Sequence, residues 1–342
     1  MRSYLVKGLY VLLMFGSLFF PSNIVFSNTL NSFDVNIQPP EEQVEKQLRY
    51  YDLQLKPSQT ITLPVALTNK NETELSLELS FHQATNNSNG TIVYTNSELE
   101  SAVAAVYNIE DFVNISQKKV TLNAKETKNI LVEIKMPDEK FEGVLAGGVY
   151  IKEVGSDAFD GNIQNLFARE LAILLRSNTQ TVAPELKIGK AYSQHVNGRN
   201  AIGLHIENLS PTYTETVKFS YTIEKDSEPT AFHGEKEIRL APNALLDYTI
   251  SLEGTTFEPG EYKIKTTLVH GEQRWEGNPT FTIENTEAKN LNAADVSLEQ
   301  PDFPWRLIII ALIVLLLVVV VLSLIQKNKQ LRQALESKNE EK

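Results

Sequence analysis

Apolar and polar residues alternate with a period of two over long parts of this chain. The alternation is most regular at 61–67, 75–81 and 217–223, where every second residue is apolar. Successive side chains of a strand point to opposite faces of its sheet, so each segment predicts a strand with one buried face. Stretches rich in Pro, Asn and Gly lie between such segments and predict turns. Short strands joined in this way indicate antiparallel β-sandwiches.

The predicted strands form two sets, each about the size of an immunoglobulin-like domain. The sequence therefore predicts an all-β fold class with two tandem immunoglobulin-like β-sandwich domains, at 33–155 and 164–285. A polar segment with two glycines, 155–161, connects them. One apolar strand, 169–176, follows this connector, and the pattern leaves its domain open. A weak helix is predicted at 97–106.

A long apolar segment near the C-terminus predicts one transmembrane α-helix at 305–325. Between Leu307 and Ile325 only Ser323 is not apolar. A helix of this length spans roughly 28 Å, which matches the hydrocarbon thickness of a bilayer. The core helix of a soluble protein keeps a polar stripe, and this segment has none. The pattern therefore favours a membrane span over a buried helix.

The charges beside the apolar segments predict the topology. Three basic residues follow the C-terminal span directly: Lys327, Lys329 and Arg332. By the positive-inside rule the tail at 326–342 is cytoplasmic and the preceding chain lies outside the membrane. A basic start followed by the apolar run Leu9–Phe20 predicts a secretory signal peptide at 1–27. An uncleaved N-terminal anchor is the alternative, because apolar residues continue to Phe26.

The segment that precedes the span differs in composition from the predicted domains. Residues 286–304 are acidic and include few large apolar side chains, which predicts an extended stalk. At about 3.3–3.6 Å per residue, such a stalk reaches about 60 Å at most. That reach favours an adaptor embedded in a thick cell wall at least as strongly as an adhesin that faces a host.

Composition narrows the class of protein further. The chain contains no cysteine, whereas a eukaryotic ectodomain of this size usually carries disulfides. This favours an exported bacterial protein, and we expect a single-pass type I membrane protein with its ectodomain in the cell wall of a Gram-positive bacterium. The formal net charge of −11 argues against nucleic acid as a partner, since nucleic-acid binding needs a basic face.

The sequence contains no recognisable catalytic motif. It has no GxSxG elbow, no P-loop and no dinucleotide fingerprint after a predicted strand. The histidines show none of the spacings that bind zinc on a helix; they are His82, His195, His205, His233 and His270. We therefore expect no enzymatic activity, no cofactor and no metal. The remaining alternative is a pair of carboxylates that meet only in the folded protein.

Five segments carry a resemblance to a known family, and their order along the chain matters more than any single one. They are Phe33–Pro39, Tyr50–Pro57, Phe141–Ile151, Leu171–Arg176 and Pro184–Ile188. Together with the predicted signal peptide, two cysteine-free β-domains, one C-terminal span and a basic tail, this ordered set resembles the WxL-interacting proteins of Gram-positive bacteria.

That resemblance implies that the first domain is peptidoglycan-binding and the second is host-binding. It also implies association with secreted WxL-domain proteins, which are usually encoded beside the family. We therefore expect a membrane-anchored cell-surface adaptor or adhesion protein whose partners are WxL-domain proteins, peptidoglycan and host extracellular-matrix proteins. The alternative is an extracellular sensor or a surface-assembly chaperone of the cell envelope, which deletion of the tail beyond Arg332 distinguishes from an adaptor.

Two short segments are candidate binding surfaces. Gly143, Gly147 and Gly148 lack side chains, so another backbone or a glycan can approach them closely. The alternative is a bulged final strand of the first domain. Arg274 and Trp275 are adjacent in a predicted hairpin, where such a pair suits a hot spot or a glycan-stacking platform. The alternative is a half-buried tryptophan that caps the second sandwich.

Overall fold

The computed structural model describes residues 31–96, 106–155, 165–298 and 305–340. The predicted signal peptide at 1–27 lies outside the described residues. The weak helix predicted at 97–106 also lies outside them, apart from its last residue.

The chain divides into two compact units. The larger unit contains most of the strand residues of both sandwiches and comprises Met1–Ser193, Ala201–Ser251 and Gly260–Ile283. The smaller unit comprises Gln194–Asn200, Leu252–Pro259 and Glu284–Lys342.

The first sandwich consists of two sheets that face each other. The first sheet, in spatial order, contains β1 (Phe33–Ile37), β3 (Thr60–Asn69), β9 (Thr127–Lys135) and β7 (Val113–Ile115). The second sheet contains β2 (Tyr51–Gln54), β11 (Ala168–Arg176), β10 (Leu145–Glu153), β4 (Leu75–Gln83) and β8 (Lys119–Leu122). A short hairpin, β5 (Thr85–Asn86) and β6 (Ile92–Val93), and a 3₁₀ turn at Ile109–Asp111 lie between β4 and β7.

The core of this sandwich is made by the alternating residues that the sequence pattern predicts. Along β4, Leu75, Leu77 and Leu79 are 4%, 1% and 3% exposed, and the polar residues between them are half-buried. Leu63 and Val65 on β3 meet them from the other sheet in one apolar cluster. Full burial of a side chain of this size contributes about 1.5–3 kcal/mol. The predicted all-β class is confirmed.

Strand β11 belongs to the first sandwich, which settles the question that the sequence left open. It pairs antiparallel with β10 and, over Ile173–Arg176, parallel with β2. Arg176 also holds the Asp52 carboxylate of β2, with Nε to Oδ1 at 2.6 Å. The strands of the second sandwich begin only at Leu186, well after the predicted boundary at residue 164.

The second sandwich also has two sheets. The smaller contains β12 (Leu186–Val196), β13 (Arg199–Asn208) and β16 (Leu245–Ser251). The larger contains β15 (Glu228–Ile238), β14 (Val217–Lys225), β17 (Gly260–His270) and β18 (Gln273–Gly277), and β19 (Thr280–Ile283) also pairs with β17. Phe219 of β14 packs edge-on against Tyr248 of β16 with ring centroids 4.8 Å apart, so the two sheets share a core.

The prediction of an extended stalk at 286–304 is wrong for its first part, which is folded within the smaller unit. This part forms helix α1 (Asn285–Ala294). The Asn292 side chain exchanges two hydrogen bonds with the backbone of Phe257, both of 2.8 Å, and Asp295 accepts one from the Asn200 backbone N–H at 2.8 Å. Polar side chains here satisfy buried backbone groups instead of facing water, and a purely compositional argument misses that role.

The C-terminal helix α2 runs from Trp305 to Glu340. Its segment Ile308–Gln330 contains an 18-residue window with a mean hydropathy of 3.7, and 0% of that window is buried in the structure. At about 1.5 Å per residue it is long enough to cross a bilayer, which agrees with the span predicted at 305–325. The helix continues without a break into the predicted tail at 326–342.

Candidate functional sites and the sandwich junction

Gly143 lies where the first sandwich meets the second. Its φ is +74°, a conformation that favours glycine, and an added Cβ would lie 2.1 Å from the Pro211 carbonyl oxygen. The next residue, Val144, donates its N–H to that same oxygen at 2.8 Å. The predicted close approach at Gly143 therefore exists, but the approaching backbone is part of the same chain.

Gly147 and Gly148 are buried inside β10. A Cβ on Gly147 would lie 2.6 Å from the Phe81 ring, and one on Gly148 would lie 2.7 Å from the Tyr94 ring. The space above both glycines is thus filled by side chains of the first sandwich. The predicted exposed surface is corrected to an internal packing site in a central strand, since β10 has neighbours on both sides.

Arg274 and Trp275 lie on β18 but point to opposite faces of its sheet. Trp275 stands opposite Leu268, which is 0% exposed, and is itself half-buried. Arg274 stands opposite Val269 on the outer face, where its guanidinium pairs with Glu276 at 2.6 Å. Adjacent residues of a strand cannot share a face, so the two side chains do not form the composite platform that the sequence suggested.

A buried asparagine joins the two sandwiches. Asn86, at the end of β5, is 2% exposed. Its Nδ2 donates to the Arg239 carbonyl at 2.7 Å, and its Oδ1 accepts from the Ala241 N–H at 3.0 Å. No periodic signal marks it, because its partners are backbone groups far away in the chain.

Two tyrosines extend this junction. The hydroxyls of Tyr94 and Tyr213 lie 3.1 Å apart, and burial raises the pKa of both above the ordinary value, that of Tyr213 well above it. Both rings pack against one small apolar cluster, which consists of Ala84, Val144, Ala146, Leu174, Ala241 and Ala244. The junction therefore has an apolar centre and satisfied polar groups, as a domain core does.

A groove lies between β1 and the first half of β11. It has a volume of about 680 Å³, within the usual range for ligand pockets. Arg169 crosses one end and donates from Nε to the Phe33 carbonyl at 3.0 Å. Arg49 and Leu48 line it from the loop that precedes β2. No local sequence pattern predicts this groove, because it is formed by two strands far apart in the chain.

One carboxylate in the groove is already neutralised. Asp34 pairs with Lys70 at 2.6 Å, and that hydrogen bond is the main reason why the pKa of Asp34 is lowered. The Glu170 carboxylate accepts the Tyr94 backbone N–H at 3.1 Å. Arg49, in contrast, is exposed and has no ion-pair partner within the described part of the chain.

A second cluster of titratable groups lies in the smaller sheet of the second sandwich. His205 and Asp247 stand opposite each other on β13 and β16, with Nε2 and Oδ1 3.7 Å apart, and the Tyr192 hydroxyl donates to the same carboxylate. Burial is the main reason why the pKa of His205 is lowered. Within the described residues, no group of three or more His, Cys, Asp or Glu side chains has metal-binding geometry.

These features define a class of protein: two packed β-sandwiches on a chain whose C-terminal helix is long enough to cross a membrane. Residues 33–153 match the family described as "WxL Interacting Protein, peptidoglycan binding domain", and residues 160–293 match "WxL Interacting Protein, host binding domain". The chain belongs to the WxL-interacting protein family. The second match includes β11, although that strand completes a sheet of the first sandwich.

Solved structures with weak overall similarity include several chaperones. The YadV chaperone is 13% identical, with 73% of this chain and 100% of that chain covered and a TM-score of 0.29. The CupB2 chaperone of Pseudomonas aeruginosa is 10% identical, with coverages of 64% and 91% and a TM-score of 0.27. The E. coli chaperone DraB is 12% identical, with coverages of 74% and 97% and a TM-score of 0.28. Similarity this low supports no inference about function.

A search of curated proteins found no match to this chain.

Proposed function

We propose that this protein is a membrane-anchored cell-surface adaptor. It binds peptidoglycan through its first sandwich, and it also binds a WxL-domain protein at the cell surface. One observation carries the proposal: a single chain combines a peptidoglycan-binding family domain, a host-binding family domain and a helix long enough to cross a bilayer. Host matrix proteins are a further proposed class of partner, through the second domain.

The proposed orientation is type I, with both sandwiches in the cell wall of a Gram-positive bacterium and the tail at 326–342 in the cytoplasm. Its support is the cluster of basic residues directly after the span and the signal-peptide pattern at the N-terminus. Protease added to wall-stripped cells should remove the two sandwiches and leave a small fragment that carries the tail. Protection of the sandwiches would contradict this orientation.

We also propose that the protein acts by binding and not by catalysis. The support is the lack of any catalytic motif in the sequence. Incubation of insoluble peptidoglycan with the purified protein should release no soluble fragments. Release of fragments that persists after further purification would contradict the proposal and would favour a carboxylate-based hydrolase.

Co-sedimentation tests the adaptor function. The full chain in detergent should pellet with insoluble peptidoglycan and should retain a purified WxL-domain protein in that pellet. Failure of the chain to pellet would contradict peptidoglycan binding, and loss of only the WxL-domain protein would contradict the adaptor function.

A chain truncated after Arg332 should bind as the parent does, whereas a sensor that signals through its tail would lose its output.

A further inference from the structure

The groove between β1 and β11 is bordered by two strand edges that lack a neighbour in the described part of the chain. Among the described strands, β1 pairs with β3 alone. On its side away from β10, β11 pairs with β2 only from Ile173 onward. The five residues before that point therefore leave an open edge of about 17 Å, at about 3.3 Å per residue.

The backbone of both strands is oriented to use this groove. The Arg176 carbonyl accepts a hydrogen bond from the Leu55 N–H, on the side of β11 where β2 lies. Backbone groups of successive strand residues point to alternate sides, so those of the even-numbered residues Ala168 and Glu170 point to the open edge. The Phe33 carbonyl faces Arg169, so Val35, two residues further along β1, also turns its N–H and C=O into the groove. Such edges bind an extended peptide by forming a further strand.

The lining side chains favour a peptide over a sugar. Val35, Ile37 and Leu48 are half-buried apolar side chains, and no aromatic side chain lines the groove among the described residues. A sugar ring in this groove therefore has no aromatic face on which to stack. A short extended peptide instead finds backbone partners and apolar contacts.

The charges select an acidic ligand. The charge of Asp34 is balanced by Lys70, and the Glu170 carboxylate is directed to the Tyr94 backbone N–H, from which it accepts a hydrogen bond. Arg169 is used at one end of the groove, where it donates to Phe33. The exposed Arg49 guanidinium is left to pair with a carboxylate, in the bidentate geometry that arginine favours.

We propose that this groove binds the short, carboxylate-bearing peptides of peptidoglycan as an added strand, and that the first sandwich recognises the peptide and not the glycan. This inference rests on the proposed peptidoglycan binding and adds the part of the polymer that is recognised and the place where it binds. The bounded length of the open edge matches a short peptide better than a long strand of a protein partner, and Arg49 supplies its charge recognition.

Co-sedimentation with two polymers tests the proposal. The full chain in detergent is mixed with intact insoluble peptidoglycan, or with the same material after an amidase has removed the peptides from the glycan. We expect binding to the stripped glycan to be weaker by roughly tenfold or more, as expected for the loss of a charged hydrogen bond. Free peptides released by the amidase should compete with the intact polymer.

The outcomes separate this inference from the proposed function. Equal binding to intact and stripped polymer would overturn the peptide inference and leave peptidoglycan binding in place. No binding to intact polymer would overturn both. Binding that depends on the peptides but is not displaced by free peptides would place recognition outside a peptide groove and would also overturn the inference.

Substitutions locate the site. Arg49→Glu should weaken binding to intact peptidoglycan roughly tenfold, since it replaces the cation by a repulsive charge. Lys128→Glu is the matched control, because Lys128 is exposed on β9 and does not line the groove. Unchanged binding by Arg49→Glu would overturn the proposal. So would an Arg49→Glu protein that loses only a WxL-domain protein, since the groove would then bind a protein strand.

A backbone variant addresses strand addition directly. The Val35 N–H faces the groove and not β3, so Val35→Pro removes one donor from the groove without removing a bond between β1 and β3. It should weaken peptide-dependent binding while circular dichroism and the melting temperature stay close to those of Val35→Ala. Equal binding by these two variants would show that backbone pairing is not used.

Discussion

The side-chain amide of Asn86 binds the backbone of Ala241, 155 residues further along the chain. It accepts the Ala241 N–H at 3.0 Å and donates to Arg239 at 2.7 Å, and it is almost fully buried. One side chain of the first sandwich thereby satisfies two backbone groups near the second. A buried polar link of this kind specifies one arrangement of the parts it joins, because any other leaves polar groups without partners.

The first prediction concerns this link. Asn86→Ala leaves the buried N–H of Ala241 without its partner, at a cost of about 1–3 kcal/mol, and also removes the donor to the part-buried Arg239 carbonyl. We expect a clear loss of unfolding free energy in urea titrations followed by circular dichroism. Asn89→Ala is the control, because Asn89 is exposed in the same turn. Equal stability of the two variants would contradict a structural role for Asn86.

The second prediction concerns cooperativity. Because both sandwiches lie in one compact unit, the parent should show a single calorimetric transition for them, with equal calorimetric and van't Hoff enthalpies. Leu77→Asp places a charge at a position of the first sandwich that is only 1% exposed. It should lower the melting temperature of both sandwiches together. Two transitions, with one of them unaffected by this substitution, would show that the sandwiches unfold independently.

How much of this the sequence predicts depends on where the partners of each residue lie. The alternation along 75–81 predicts both the strand and its buried face, because both depend only on neighbouring residues. The same pattern describes β11 as apolar but cannot say which sheet it joins. The contacts of Asn86 and the groove beside Arg49 depend on segments more than a hundred residues apart, so no local pattern predicts them.

The third prediction concerns the glycines. Gly148→Val places a side chain where the Tyr94 ring lies, so the ring must move and its hydroxyl bond to Tyr213 is lost. Overpacking of this kind typically costs about 1–3 kcal/mol, and urea unfolding should measure this loss of unfolding free energy. Gly271→Asn is the control, since nothing lies within 4 Å of a Cβ there and Asn tolerates its positive φ. A folded, fully stable Gly148→Val protein with weaker partner binding would instead support the surface predicted from the sequence.

The fourth prediction separates Arg274 from Trp275. Trp275→Ala removes a half-buried ring that faces the core and should lower the unfolding free energy. Arg274→Ala removes an exposed side chain and should change that energy by no more than about 0.5 kcal/mol. Binding of matrix proteins to the two variants then assigns any contact to one face of β18. Large destabilisation by Arg274→Ala alone would contradict this placement.

The last prediction is a dependence of stability on pH that originates at His205. Burial is the largest influence on this group and lowers its pKa in the folded protein, with a smaller opposing influence from Asp247, which raises it. Lys190 lowers the pKa further and Glu207 raises it. The unfolded chain, in which the pKa is about 6.5, therefore binds the proton more readily than the folded protein.

Stability from this group is consequently complete above about pH 6.5 and falls as the pH drops below that value, until the folded protein also takes up the proton. Urea unfolding at pH 8, 6 and 5 should show this loss in the parent, as free energies obtained with an unchanged m-value. His205→Gln should remove the part of the loss between pH 8 and pH 5 that belongs to this group. His233→Gln, at an exposed histidine of β15, should keep it. An identical pH profile for the parent and His205→Gln would show that this half-buried imidazole does not couple protonation to folding.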